Sequence, residues 1–383
     1  MHVVGWTLAL TVGELPLRLV IALERRGHDV AAMRRTMMHE TGAASAVAAS
    51  RARYALAGMI PNEASPSFVS ELSFHPNGET IGATYEHLDE VRIHSAKDLS
   101  TVRVLRNPSA GFDGPHGILL TSRHLIVTNK RSRPSQLLVF SLNDESDTPI
   151  QTYTTPYAHL AEAHSLALHG RRLIVTYCEG PGKRGAIVSY EYDDESGRIV
   201  GPSDLNERWF RRYGDAKGVA FDQTGDKVFV TFASDVIRRR RRMLERLKRI
   251  VSFRTRGATN RNGIAAFAVD RQGRFTHEPV WTKVFPTFCR LENIHVHGDR
   301  AVVTNADAGC VYVYDLGRED PFAEPAEVIT DQLVFPHGVK ISPDGRLLAV
   351  SDNGIEVVDH WVQWTTFVSP RRDRVVLFER QVA

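Results

Sequence analysis

The stretch Phe335-Pro-His-Gly-Val-Lys-Ile-Ser-Pro-Asp-Gly-Arg-Leu-Leu-Ala-Val-Ser-Asp352 constrains the fold more than any other part of the chain, because it returns in degenerate form five times. Aligned with it are Val69-Ser-Glu-Leu-Ser-Phe-His-Pro-Asn-Gly78, Gly114-Pro-His-Gly-Ile-Leu-Leu120, Glu162-Ala-His-Ser-Leu-Ala-Leu168, Asp215-Ala-Lys-Gly-Val-Ala-Phe221 and Leu291-Glu-Asn-Ile-His-Val296. The place of His337 is therefore taken by Ser70, His116, His164, Lys217 and Glu292 in the other copies. Successive copies lie 46, 48, 53, 75 and 45 residues apart. Units of this length, each with several strand-like runs, are the signature of propeller blades, and the longest interval accommodates an insertion.

Within the second copy, Gly117–Thr121, His124–Asn129, Gln136–Phe140 and Pro149–Thr154 are short β-branched and aromatic runs punctuated by Gly, Pro, Asn and Ser. Such runs predict four antiparallel strands, A to D. The last copy has an A strand (Val339–Ser342), a B strand (Leu347–Ser351) and a C strand (Arg374–Glu379), with no room for D before Ala383. Ahead of the first A strand, Arg53–Met59 reads as a spare strand. A closed ring leaves no unpaired sheet edge, so this segment is expected to complete the sixth blade. The predicted fold is all-β, a six-bladed propeller over residues 51–383 with insertions at 235–261 and 354–372.

Residues 1–50 are expected to form a helical extension, with Leu17, Leu19–Leu23, Met33, Met37 and Met38 as its apolar positions. The apolar start, Met1–Gly13, lacks a basic flank and is followed by Glu14, which argues against a signal peptide or a membrane span. The three cysteines, Cys178, Cys289 and Cys310, form no C-x-x-C pair, so neither a disulfide framework nor a structural zinc site is expected. A reducing, cytoplasmic setting follows. A net charge of +3 is too mild to imply nucleic acid as a partner.

Phe74-His-Pro-Asn-Gly78, Ile341-Ser-Pro-Asp-Gly345 and the Val-Thr-Asn or Val-Ser-Asp ends of the B strands resemble the YVTN and lactonase-like propeller superfamily, which includes the gluconolactonase and NHL-repeat groups. The resemblance spans about residues 66–383. It implies a propeller acting on a small molecule by ester or lactone hydrolysis or by elimination. Gluconolactonase-like members hold a divalent metal with Glu, Asn and Asp at the starts of the A strands. Here only Glu292 retains that chemistry, with histidine at three of these positions and lysine at one.

Strand A lines the central channel of a propeller, and its first residue sits where the channel opens. Antiparallel pairing brings the B-to-C connection back to the same face. One mouth should therefore gather Ser70, His116, His164, Lys217, Glu292 and His337, with Asn129, Lys130, Glu179, Asn305, Asp307, Asp352 and Asn353 in a second ring. Both insertions enter on this face. The first, residues 236–256, reads as a basic amphipathic helix: Ile237, Met243, Leu244, Leu247 and Ile250 recur at near-helical spacing among arginines such as Arg240. It suits a lid, a protein partner or an anionic membrane surface, whereas nucleic acid is disfavoured because no aromatics interleave the basic run. The second insertion carries Trp361 and Trp364, which could stack on a ligand or pack within the lid.

The three histidines and Glu292 admit three readings. They could fill the mouth as hydrogen-bonded polar groups. They could act as a metal-free acid/base set. Or they could hold one divalent ion such as Zn, Fe or Mn, which imidazole and carboxylate suit. In an enzyme of this kind Lys217, Ser70, Asn129, Asn305, Asp352 and the lid residues would contact a small, anionic ligand. The alternative is a binding module that docks a partner through the lid face without catalysis.

Overall fold

The computed structural model describes residues 54–61, 67–179, 185–233, 262–285, 290–306, 308–353, 355–357, 366–368 and 373–381. The expected N-terminal extension and the 236–256 helix lie outside these residues, as do Trp361, Trp364, Arg240 and Asp307.

The chain begins with β1 (Tyr54–Pro61) and then lays down blades in order. Blade 1 is β2 (Val69–Phe74), β3 (Thr80–Tyr85), β4 (Glu90–Ser95) and β5 (Thr101–Arg106). Blade 2 is β6 (Pro115–Leu120), β7 (His124–Asn129), β8 (Gln136–Ser141) and β9 (Gln151–Thr154). Blade 3 is β10 (Ala161–His169), β11 (Arg172–Glu179), β12 (Ala186–Asp193) and β13 (Arg198–Asn206). A one-turn helix, α1 (Phe210–Tyr213), leads into blade 4: β14 (Asp215–Phe221), β15 (Lys227–Ala233), β16 (Asn262–Ala268) and β17 (Trp281–Phe285). Blade 5 is β18 (Leu291–His297), β19 (Arg300–Asn305), β20 (Cys310–Asp315) and β21 (Glu327–Ile329). Blade 6 opens with β22 (Pro336–Ile341) and β23 (Leu347–Asp352), is interrupted by a small hairpin, β24 (Ile355–Val357) and β25 (Thr366–Val368), and continues with β26 (Arg374–Arg380).

Six four-stranded sheets result, and the sixth has the order β1-β26-β23-β22. The N-terminal strand therefore closes the ring, pairing antiparallel with β26 from Tyr54 opposite Arg380 to Pro61 opposite Arg374. Hydrophobic packing closes the ring as well. Each of six core clusters straddles two neighbouring blades: one joins Val69, Leu72 and Ile81 of blade 1 to Ala349, Val375 and Leu377 of blade 6. Because blades stack face to face, the second strand of blade 2, β7, is buried at every residue, whereas the outermost β9 is not buried at any.

The inner strands begin earlier than the sequence pattern suggests, at Pro115 and Pro336 rather than Gly117 and Val339. The reason is a β-bulge near the start of every inner strand, at Val69/Leu72, Pro115/Ile118, Ala163/Leu166, Ala216/Val219, Leu291/Ile294 and Pro336/Val339. A bulge sets two residues against one on the partner strand. That one partner is Thr84, Thr128, Thr176, Thr231, Thr304 or Ser351. In all six blades its hydroxyl accepts a hydrogen bond from the second bulge residue's N–H, at 2.6–3.0 Å. In four blades the hydroxyl also donates to the next blade, Thr84 to the His116 carbonyl, Thr176 to Lys217, Thr304 to His337 and Ser351 to Ser70.

Candidate functional site

The first bulge residue of each blade is the aligned mouth position, and the structure brings all six together. The three histidine rings lie against one another, with centroids 4.0 Å apart for His116 and His164, 5.0 Å for His116 and His337, and 5.4 Å for His164 and His337. One nitrogen from each falls within 4.8 Å of the others. Ser70, between His116 and His337 in the ring, is small enough to let these two approach.

Their orientation is set by the backbone. His116 Nδ1 lies 3.0 Å from the His164 carbonyl oxygen, and His337 Nδ1 lies 2.9 Å from that of Ser70. A carbonyl only accepts, so Nδ1 carries the proton in both rings and Nε2 presents its lone pair to the mouth. His164 Nε2 also faces the mouth, 3.9 Å from Glu292 Oε2, and its Nδ1 looks down the channel, 3.7 Å from Glu71 Oε1.

Glu292 is fully buried, and its Oε2 is 3.7 Å from His337 Nε2 and 3.6 Å from Lys217 Nζ, while Oε1 pairs with Arg290. Burial alone would raise its pKa, but Arg290 and Lys217 hold it well below the ordinary carboxylate range. Across the mouth, Glu86 Oε2 lies 3.8 Å from His116 Nε2, 3.1 Å from Lys130 Nζ and 3.3 Å from Ser70 Oγ. Burial opposes its ionisation, and Lys130 outweighs that to keep the pKa low. Lys217 stays protonated: desolvation works against its charge, and the ionised Glu292 beside it offsets that. Desolvation and neighbouring charges lower His116 and His164 far below the usual imidazole range and His337 to about 4. The mouth at neutral pH thus contains three neutral imidazoles between two carboxylates and three cations.

One residue deeper, the second bulge positions alternate around the ring. Blades 2, 4 and 6 have Gly117, Gly218 and Gly338, and a Cβ there would lie 2.4 Å from the His164 carbonyl, 2.5 Å from Asn293 Cα and 2.8 Å from the Ser70 carbonyl respectively. Blades 1, 3 and 5 have Glu71, Ser165 and Asn293, all fully buried. Asn293 donates to Glu71 Oε1 at 2.7 Å and Ser165 to Oε2 at 3.2 Å. These three side chains bond to one another across the channel, one residue below the three histidines.

The expected second ring behaves differently. Asn129 accepts from the Asp113 N–H, Asn305 from Arg290, and Asp352 from Val334 and Phe335. Their side chains tie down the loops that lead into the inner strands. The register also places Tyr177, rather than Glu179, opposite Ala163 as the blade 3 counterpart.

The fold and site together define a closed six-bladed propeller with a buried cluster of three histidines near the starts of its inner strands. No family model matches the chain, and no curated protein matches it significantly. Among solved structures it is similar to a luciferin-regenerating enzyme, with TM-score 0.55 at 9% identity over 85% of this chain and 96% of that one. It is also similar to the PQQ-bound form of aldose sugar dehydrogenase from Streptomyces coelicolor, with TM-score 0.54 at 11% identity over 86% and 98%. A third is the Cps50 (Swd1) β-propeller domain of Myceliophteria thermophila, with TM-score 0.50 at 10% identity over 86% and 100%. At these identities the shared property is the propeller itself. Among the described residues, no helix is long and apolar enough to cross a membrane.

Proposed function

We propose that the histidine cluster is a mononuclear divalent-metal site, with His116, His164 and His337 as ligands and Glu292 as a fourth ligand or proton acceptor, in an enzyme that hydrolyses or eliminates at an ester or lactone of a small anionic molecule. One observation carries this reading: the three imidazoles each offer a ring nitrogen within 4.8 Å of the others. The donor set suits Zn, Fe or Mn. Metal–nitrogen bonds of about 2.0–2.1 Å place tetrahedral ligand atoms roughly 3.4 Å apart, so the three nitrogens, now within 4.8 Å of one another, would draw together to close on an ion. Such an ion would polarise a carbonyl and lower the pKa of water. Glu292, kept ionised by Arg290 and Lys217, would be the group to accept a proton from such a water. Lys217, Arg290 and Lys130 supply charge for a carboxylate or phosphate on the substrate. The lactonase-like resemblance of the turn motifs agrees with this chemistry.

The test is the metal content of the full chain purified without chelator. About one divalent transition ion per chain is expected, and His164→Ala should lose most of it. Absence of such an ion, together with no thermal gain on adding Zn, Mn or Fe, would remove the reading.

A second reading, a docking face for an anionic membrane or a protein, is favoured by where the basic segment attaches. Between Ala233 and Asn262, strand ends on the mouth face, the sequence carries ten Arg or Lys from Arg238 to Arg256 against the single acidic Glu245. Binding to anionic vesicles at low salt that is abolished by replacing Arg238 to Arg242 with Gln would support it.

A further inference from the structure

Glu71 contributes nothing to the mouth itself, yet it is the charged member of the waist. It reaches His164 from below, whereas His116 and His337 have their Nδ1 groups fixed by carbonyl oxygens of the next blade. The corresponding carbonyl ahead of His164, that of Lys217, accepts from the Thr176 hydroxyl. His164 Nδ1 is buried and has no protein hydrogen-bond partner within normal reach, and Glu71 Oε1 lies 3.7 Å from it. Glu71 in turn cannot swing away, because Asn293 and Ser165 hold its two oxygens.

We infer that Glu71 is the positioning residue of the site: its carboxylate receives the Nδ1 proton of His164 and so turns Nε2 toward the shared centre. The inference rests on the metal reading above. Carboxylate–imidazole–metal arrangements need such a partner to fix the tautomer and to raise ligand basicity, and their loss costs about 10–100-fold in metal affinity. The contact would shorten from 3.7 Å as His164 settles on an ion. Ser165 and Asn293 act one step further out, by holding the carboxylate.

The experiment compares wild type, Glu71→Gln, Glu71→Ala and Glu71→Asp as full chains titrated with Zn and with Co(II), whose visible absorption reports ligand geometry. Glu71→Gln should bind about 10–100-fold more weakly, with a changed Co(II) spectrum. Glu71→Ala should be at least as weak, and Glu71→Asp should recover part of the loss. If wild type binds one ion and the Gln and Ala variants match its affinity and spectrum, the inference is overturned while the metal site stands. If wild type binds no ion, the metal reading falls and takes this inference with it. Should the Glu71 variants fail to fold, Asn293→Ala, which frees the carboxylate without removing it, replaces them: weakened binding supports the positioning role, and unchanged binding overturns it.

Discussion

His116 Nδ1 and the carbonyl oxygen of His164, 3.0 Å apart, connect two mouth positions on neighbouring blades through a ring nitrogen and a main-chain group. The same contact recurs between His337 and Ser70. His116 and His337 are thus oriented by the backbone of the blade that follows each, and the site depends on how accurately the blades are spaced.

That spacing should be sensitive to the bulge hydroxyls. Thr304 accepts from the Asn293 N–H at 2.9 Å and donates to the His337 carbonyl at 2.9 Å. Thr304→Val keeps the shape and leaves both buried groups unpaired, at a cost of about 1–3 kcal/mol each. Denaturant unfolding should show a clear loss that Thr304→Ser restores; a valine variant as stable as wild type would show that the hydroxyl does not join the blades.

The waist glycines are expected to be intolerant. Gly218→Ala sets a methyl group 2.5 Å from Asn293 Cα, where backbone must move. Overpacking of this kind costs about 1–3 kcal/mol. Gly201→Ala, with no neighbour within 4 Å, should stay within about 0.5 kcal/mol of wild type. Equal effects of the two, measured by thermal or urea unfolding, would contradict the close approach of blades 4 and 5.

Closure by β1 predicts a sharp boundary. Tyr54 is buried and its N–H donates to Glu327 Oε1 at 3.1 Å, while Ile60 packs in the cluster between blades 6 and 1. Removing residues 1–61 exposes the edge of β26 and should yield aggregating or non-cooperative protein. Removing residues 1–50 retains the whole closing strand and should preserve cooperative unfolding. A soluble fragment starting at residue 67 with wild-type stability would refute closure by this strand.

Acid sensitivity should be carried by buried imidazoles. Burial lowers His116, His164 and His295 well below their ordinary 6.5 and brings His94 and His337 to about 4. The unfolded chain takes up these protons near pH 6.5 and the folded chain does not, so stability falls as pH drops from about 6.5 toward 4. Glu71, pushed up to about 7 by burial, has the opposite sign: it favours the fold below its unfolded value of 4.5 and loses that contribution as pH rises through 7. The lowered imidazoles, His297 among them, outnumber the two carboxyls that burial raises, Glu71 and Asp352, so the melting temperature should decline between pH 6.5 and 4.5, less so in His337→Asn. A flat profile over that window would show that these histidines are protonated in the fold.

The blades were legible because Pro-His-Gly and Ser-Pro-Asp-Gly mark where an inner strand starts and turns, and the ring closure because the last copy lacks a D strand that Arg53–Met59 could supply. The mouth residues were legible for the same reason, since His116, His164, His337, Lys217 and Glu292 occupy one aligned position. Glu71 was missed because strand alternation assigns adjacent residues to opposite faces, and the bulge instead turns both inward. A trace was present in the alternation of Gly117, Gly218 and Gly338 with Glu71, Ser165 and Asn293, and in the hydroxyl residue of every B strand. Glu86 left no trace, because its counterparts Lys130, Cys178, Ala233, Ala306 and Asn353 share no chemistry. Asn129, Asn305 and Asp352 were placed on the correct face, but a single sequence does not reveal that loop amides claim their side chains.

The hydroxyl belt uses only main-chain partners: the N–H of its own inner strand and, in four blades, a carbonyl of the next. It is therefore indifferent to the side chain at the mouth, and serine, histidine, lysine and glutamate all occupy equivalent backbone seats. The belt that joins the blades can therefore stay in place while the side chain at a mouth position changes, which separates what holds the ring together from what gives it chemistry.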